Sequence, residues 1–146
     1  MVRSNAVTVR RAITDDDVRR CFRVMQQLRT HLEQPHFVET VRRQEAGGFR
    51  LAFVEDEEEV RAVAGYRVMD NLYAGRVLYV DDLVTDESVR SRGYGRRLLD
   101  WLVEQARADG CKSLELDSGV HRFDAHRFYL TNRMIISSHH FRLPLD

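Results

Sequence analysis

The chain has 146 residues, 23 Lys+Arg against 23 Asp+Glu, and 43% hydrophobic against 32% charged residues. That length suits one domain, and that balance suits a folded globular chain rather than a disordered one. Zero net charge speaks against a protein that coats nucleic acid. No apolar run approaches the roughly 18 residues of a membrane span, and Met1–Thr8 holds no apolar leader core.

The two cysteines, Cys21 and Cys111, form neither a disulfide framework nor a zinc pattern, so a reducing cytoplasm is the expected setting. The expectation is one domain over residues 1–146.

The pattern opens with a short strand, Val7–Arg11. Thr14 then caps a helix through about Leu32, with Val18, Cys21, Phe22, Met25, Leu28 and Leu32 at helical spacing. Asp15, Asp16 and Asp17 load its first turn, where carboxylates favour the helix dipole, and Ile13 can staple onto Val18. A second helix runs from Pro35 or His36 to Ala46, stopped by Gly47 and Gly48.

Three antiparallel strands follow. Phe49–Val54 places Phe49, Leu51 and Phe53 on one face. The acidic run Glu55–Glu59 reads as a solvated hairpin loop. Val60–Met69 returns, with Gly65 as a bulge or close-approach point, and Arg76–Thr85 is the third strand.

After the polar loop Asp86–Gly95 comes a helix, Arg96–Ala108, closed by Gly110. Next are a strand, Lys112–Asp117, a helix opening near Asp124, and a closing pair of short strands at Met134–Ile136 and His139–Leu143. Trp101 is expected in the core and Cys111 in a turn.

The stretch that carries chemistry is the strand, loop and helix around Arg90-Ser91-Arg92-Gly93-Tyr94-Gly95. A helix start leaves backbone N–H groups unpaired at the positive end of its dipole, and glycines let a ligand approach the backbone. Arg90, Arg92, Arg96 and Arg97, with Arg76 upstream, add positive field. A pyrophosphate is the natural ligand. The dinucleotide fingerprint would need a third glycine where Leu98 stands, and the triphosphate loop would need Gly-Lys-Ser/Thr; neither is present.

This loop resembles the Gln/Arg-x-x-Gly-x-Gly/Ala loop of the GNAT superfamily of N-acetyltransferases. Tyr79-Val80-Asp81-Asp82-Leu83-Val84-Thr85 looks like the strand before it, Leu98–Arg107 like the helix after it, and Asp124–Leu130 like the helix that carries the family's tyrosine. The resemblance implies an α/β (α+β) fold. Its sheet would be mixed, mostly antiparallel and twisted, of six to seven strands, with two parallel central strands splayed apart and about four helices.

The resemblance implies acetyl-CoA as co-substrate, bound between Leu78–Thr85 and Lys112–Asp117. Backbone around Arg92–Arg96, within Arg90, Ser91, Arg92, Gly93, Tyr94, Gly95 and Arg96, would hold the pyrophosphate. The main chain of Leu83, Val84 and Thr85 would bond the pantetheine arm like an added strand. Tyr129 matches the general acid that protonates the departing thiolate. His126, three residues before it, would tune the tyrosine or line the CoA site.

Asp81 or Asp82 would handle the proton of the attacking amine, directly or through water, or would anchor the cationic amine electrostatically. A regular strand sends them to opposite faces, with Asp81 favoured for sharing a face with Tyr79 and Leu83; a bulge would change that choice. Asp117 and Ser118 end the second splayed strand. His121, His126, His139 and His140 follow no known ligand spacing, so no metal is expected.

Many relatives carry Gly-Phe after the tyrosine helix, where this chain has Arg133-Met134. The segment Asp117–Leu143 looks most like bacterial small-amine acetyltransferases. The implied acceptor is a small-molecule primary amine. The alternatives are a peptide or protein amine and a non-catalytic acyl-CoA-binding module. No nucleic-acid or membrane partner is expected; the closing strands would offer an edge for a homodimer.

Overall fold

The computed structural model describes residues 6–146; the expectation of no leader core falls partly on residues 1–5, outside that range. The chain divides into two compact units, Met1–Glu115 and Leu116–Asp146.

In the first unit, β1 (Thr8–Arg11) leads to α1 (Asp15–Arg20), α2 (Phe22–Leu28) and α3 (Gln34–Glu45). Thr14 caps α1, its hydroxyl accepting from the Asp17 N–H at 3.0 Å. The expected single helix over 14–32 is broken at Cys21, whose N–H bonds back to Val18 at 3.1 Å, a tighter turn than an α-helix makes. Ile13 stays 59% exposed, so it does not staple the cap.

The strands β2 (Arg50–Asp56), β3 (Glu59–Asn71), β4 (Gly75–Thr85) and β5 (Ser113–Leu116) complete one five-stranded sheet in the order β1-β2-β3-β4-β5. The pairs β1/β2, β2/β3 and β3/β4 are antiparallel. Phe49, Leu51, Phe53, Val63 and Val84 share a core with Val18, Phe22, Met25, Phe37 and Val41 from α1–α3.

The helix α4 (Tyr94–Ala108) packs on the other face through Leu98, Leu99, Leu102 and Ala106. Small Ala52, Ala62 and Ala64 let it approach, and half-buried Trp101 meets the Tyr66 ring edge-on at 6.0 Å. Between β4 and α4, Glu87–Val89 form a short 3-10 turn.

Glu57–Glu59 of the acidic hairpin are exposed, as expected, whereas Glu55 and Asp56 are half-buried. Glu55 pairs with Arg20, Asp56 accepts from the Tyr94 hydroxyl at 2.5 Å, and Glu57 lies 3.8 Å from Arg61. The run is thus a set of anchors as well as a turn.

In the second unit, α5 (Phe123–Thr131) is followed by residues 134–146, which form no strand. The expected strands Met134–Ile136 and His139–Leu143 are therefore absent, and among the described residues the sheet has five strands rather than six or seven. A β-prone sequence becomes a strand only against a partner edge, and Ile136, Phe141 and Leu143 stay exposed. The edge expected to support a homodimer is not built by these residues.

Candidate active site

The local backbone makes the loop. Ser91 and Gly93 both take the left-handed conformation, at φ 67° and 85°. The two left-handed residues on either side of Arg92 turn the chain sharply into the start of α4. Gly93 caps α4, so the helix starts at Tyr94, two residues before the expected Arg96. The first intrahelical bond is Arg97 N–H to Gly93 C=O at 3.0 Å, which leaves the N–H groups of Tyr94, Gly95 and Arg96 without an intrahelical acceptor.

Beyond Gly93 a Cβ would meet nothing within 4 Å. Arg90, Ser91 and Arg92 are exposed. Arg96 lies 3.6 Å from Asp100, whereas Arg90, Arg92 and Arg97 make no ion pair among the described residues. Arg76 is spent elsewhere, on Asp70 at 3.0 Å and the Asp109 carbonyl at 3.2 Å, and does not belong to the loop's field. The Tyr94 side chain is a buried anchor on Asp56, a bond that also raises the pKa of its phenol; only its backbone is left for a ligand.

The loop's entry is also fixed. Buried Asp86 follows β4 and accepts from the Ser88 N–H at 3.1 Å and from Gln27 at 3.2 Å, with Arg23 at 2.9 Å. Desolvation works against the charge, but these bonds win and hold its pKa down at about 2. Helix α2 thereby grips the segment leading into the loop.

The second feature is a cavity of about 630 Å³. Met25, Leu32, Phe37, Val41, Phe49, Leu51 and Met69 give it apolar walls; Arg29, His31, Gln44, Arg67, Tyr79, Asp81 and Asp82 give it polar ones. Both aspartates line it because the strand is not regular. Gly65 pairs with Asp82 and Tyr66 with Val80, so Asp81 is an extra residue in β4. One inserted residue resets the alternation and brings neighbouring side chains to one side. The expected choice between Asp81 and Asp82 therefore dissolves: both reach the same cavity.

Each carboxylate has its own guanidinium. The Arg29 Nε donates to Asp82 Oδ1 at 2.7 Å, and an Arg29 Nη donates to the Asp81 carbonyl at 2.8 Å. That second bond satisfies an oxygen at the bulge, where the ladder is interrupted. The Arg67 Nε donates to both Asp81 oxygens, at 2.9 and 3.2 Å, and its guanidinium stands 5.4 Å from the Phe49 ring centre. Burial pushes the Asp82 pKa up, more than the Arg29 bond pulls it down.

Gly65 makes room for this arrangement. A Cβ there would stand 2.4 Å from Asp82 Oδ2 and 2.5 Å from the Phe49 ring. Sequence reasoning marked Gly65 but missed Arg29 and Arg67. For Arg67 a signal existed: it shares strand parity with inward-facing Val63 and Gly65, an unusual place for a charge. For Arg29, at the end of a helix, nothing local announced a partner 53 residues away.

Leu83, Val84 and Thr85 pair with Ala64, Val63 and Ala62. Val84 is buried in the core, while Leu83 and Thr85 are half-buried.

In the second unit, Tyr129 lies on α5 and is half-buried; desolvation raises the pKa of its phenol, with Arg122 opposing. The His126 ring bonds the Gly119 carbonyl at 2.8 Å, and His140 Nδ1 lies 3.6 Å from Asp117. The Ser118 hydroxyl is buried without a hydrogen-bond partner. Among the described residues no three His, Cys, Asp or Glu side chains gather as a metal site would require.

Helix α5 ends with the Met134 N–H bonding Tyr129 C=O at 3.0 Å and Arg133 N–H bonding Leu130 C=O at 3.1 Å, with Arg133 left-handed at φ 69°. This is the helix stop that glycine usually supplies.

Comparison with known proteins agrees with this geometry. The model of the acetyltransferase (GNAT) family matches residues 13–132. The uncharacterized N-acetyltransferase YhdJ of Bacillus subtilis is 34% identical over 125 residues, covering 84% of this chain and 87% of that protein. An aminoalkylphosphonate N-acetyltransferase of Salmonella typhimurium is 40% identical over 82 residues, 56% of this chain and 53% of that protein. An aminoglycoside N-acetyltransferase solved in complex with CoA superimposes with a TM-score of 0.83 at 11% identity, covering 99% of this chain and 98% of that one, a likeness of fold. The chain thus belongs to the GNAT family and is an acetyl-CoA-dependent acetyltransferase.

Proposed function

We propose that the enzyme transfers the acetyl group of acetyl-CoA to the primary amine of a small molecule by direct attack on the thioester. The observation that carries this reading is the pair of carboxylates which the β4 bulge turns into one bounded cavity. A volume of about 630 Å³ suits a small molecule. The name of the Salmonella relative supports an acceptor of that kind.

In this reading the free N–H groups around Arg92–Arg96 hold the CoA pyrophosphate, with Arg90 and Arg92 adding charge. The edge of β4 not paired with β3 supplies the Leu83–Thr85 main chain to the pantetheine arm. A splay between β4 and a parallel β5 would open that edge. Asp82 accepts the amine's proton through water. Its raised pKa narrows the gap to an alkylammonium, and the rate should fall as acid protonates it. Asp81 anchors the ammonium electrostatically. Tyr129 protonates the departing thiolate; its raised pKa keeps the phenol protonated and able to donate. A cytoplasmic setting suits an enzyme whose two cysteines are unpaired.

The test is thiol release from acetyl-CoA across a panel of amines that includes polyamines, aminoglycosides, aminophosphonates and lysine peptides. Turnover with a small amine, and a drop in kcat of about two to four orders of magnitude in Tyr129→Phe with CoA affinity kept, is the expected result. Turnover of lysine peptides alone would overturn the small-molecule assignment. An unchanged Tyr129→Phe rate where chemistry limits turnover would return Tyr129 to packing.

A further inference from the structure

The cavity's charge is balanced before any acceptor arrives. Asp82 faces Arg29 at 2.7 Å, and Asp81 faces Arg67 at 2.9 Å. Two carboxylates thus meet two guanidiniums on its walls. A bare alkylammonium entering such a site adds an uncompensated positive charge among apolar walls, and a diamine adds two. Charge buried without a partner is costly. A molecule that brings its own negative charge avoids that cost.

The arginines also retain donors. A guanidinium carries five N–H groups. Arg29 uses its Nε and one Nη on the aspartates. Arg67 uses its Nε on Asp81, and its Nη contact with Gln44 is long at 3.4 Å. The remaining fork of each belongs to a residue that lines the cavity, and the side chains keep 43% and 29% of their exposure. Such forks suit oxyanions. Their carboxylate partners sit on adjacent residues of β4, so one small molecule can carry an anion to the forks and an amine to the carboxylates.

We propose that the acceptor is a small zwitterionic amine. Arg67 and Arg29 bind its oxyanion, a carboxylate, sulfonate, phosphonate or phosphate, while its amine faces Asp82. This rests on the N-acetyltransferase reading and narrows its substrate class.

The experiment titrates the CoA-saturated protein by calorimetry with α- and β-amino members of each oxyanion class. Ethanolamine, propylamine and putrescine serve as partners without an anion. Acetyl-CoA kinetics follow for the same compounds. At least one oxyanion class should bind about tenfold or more tightly than every compound without an anion, and show the higher kcat/KM. In Arg67→Gln that preference should shrink towards unity, and in Arg67→Lys it should survive in part. If propylamine or putrescine binds as well as every zwitterion, or if no zwitterion binds, the proposal is wrong. If Arg67→Gln leaves the preference intact, the assignment to Arg67 is wrong. Zwitterion binding without acetylation would sustain the oxyanion site on Arg67 and Arg29 and sink the amine-acetylation reading, and with it the zwitterion as acceptor. Acetylation confined to amines without an anion would do the reverse.

Discussion

The loop at Arg90–Arg96 and the cavity at Asp81 and Asp82 lie a few residues apart in sequence and are built in opposite ways. The loop is local: two left-handed residues, a helix start and nearby arginines within one short segment. The cavity is long-range, since its polar contacts join α2 to β4 across 53 residues and β3 to β4 across 14. A feature held by its own backbone can be read from sequence; one held by tertiary pairing cannot. The proposed function follows the same divide, with CoA at the loop and the acceptor in the cavity.

Gly65 is where the two regions should come apart most clearly. If the cavity depends on distant packing, one methyl group far from the loop should disable acceptor chemistry alone. Gly65→Ala places a Cβ within 2.5 Å of both the Asp82 carboxylate and the Phe49 ring. The expected result is a loss of about tenfold or more in kcat/KM for the amine, with acetyl-CoA affinity unchanged. Steady-state kinetics beside calorimetry would check it. Equal losses on both sides would mean that the two sites are one structural unit.

A smaller effect tests the seam between the regions. Asp86, with a pKa of about 2 against an ordinary 3.8, stabilises the fold above the unfolded value. That contribution, about 2 kcal/mol, is full at neutral pH and is lost as the pH falls from near 4 through about 2. Asp86→Asn should therefore destabilise at pH 7 and lose its effect in acid. Urea unfolding at both pH values reads this, and a pH-independent difference would contradict the assigned role.

The smallest effect concerns local backbone alone. Helices α4 and α5 end in the same motif, one with Gly110 and the other with Arg133 in the left-handed position, at φ 74° and 69°. Arginine is strained there by about 1–2 kcal/mol, while glycine costs about 0.5–1 kcal/mol of chain entropy. Arg133→Gly should thus gain about 0.5–1 kcal/mol by thermal or urea unfolding. A loss would show that the Arg133 side chain has a contact worth more than the strain.

Legibility follows the same divide. Apart from the break at Cys21 that splits the first helix, the order of elements up to α5, the core face Phe49-Leu51-Phe53 and the loop were readable, because periodicity and turn chemistry act over a few residues. The side on which Asp81 and Asp82 fall was not, because the β4 bulge depends on register against β3. The closing strands were misread for a related reason: residues 134–146 have strand-like composition, but a strand is made by its partner. Arg133 shows the converse. Its departure from the family's glycine was visible, whereas its left-handed backbone was not.

In the proposed function the loop holds the acetyl donor and the cavity holds the acceptor. Calorimetric titration of acetyl-CoA into wild-type protein, Gly95→Asp and Asp82→Asn separates the two. Gly95→Asp puts a side chain and a negative charge among the unpaired N–H groups, and acetyl-CoA affinity should fall about a hundredfold or more. Asp82→Asn should bind acetyl-CoA as the wild type does. Wild-type affinity in Gly95→Asp, or a comparable loss in Asp82→Asn, would contradict the division of the two sites.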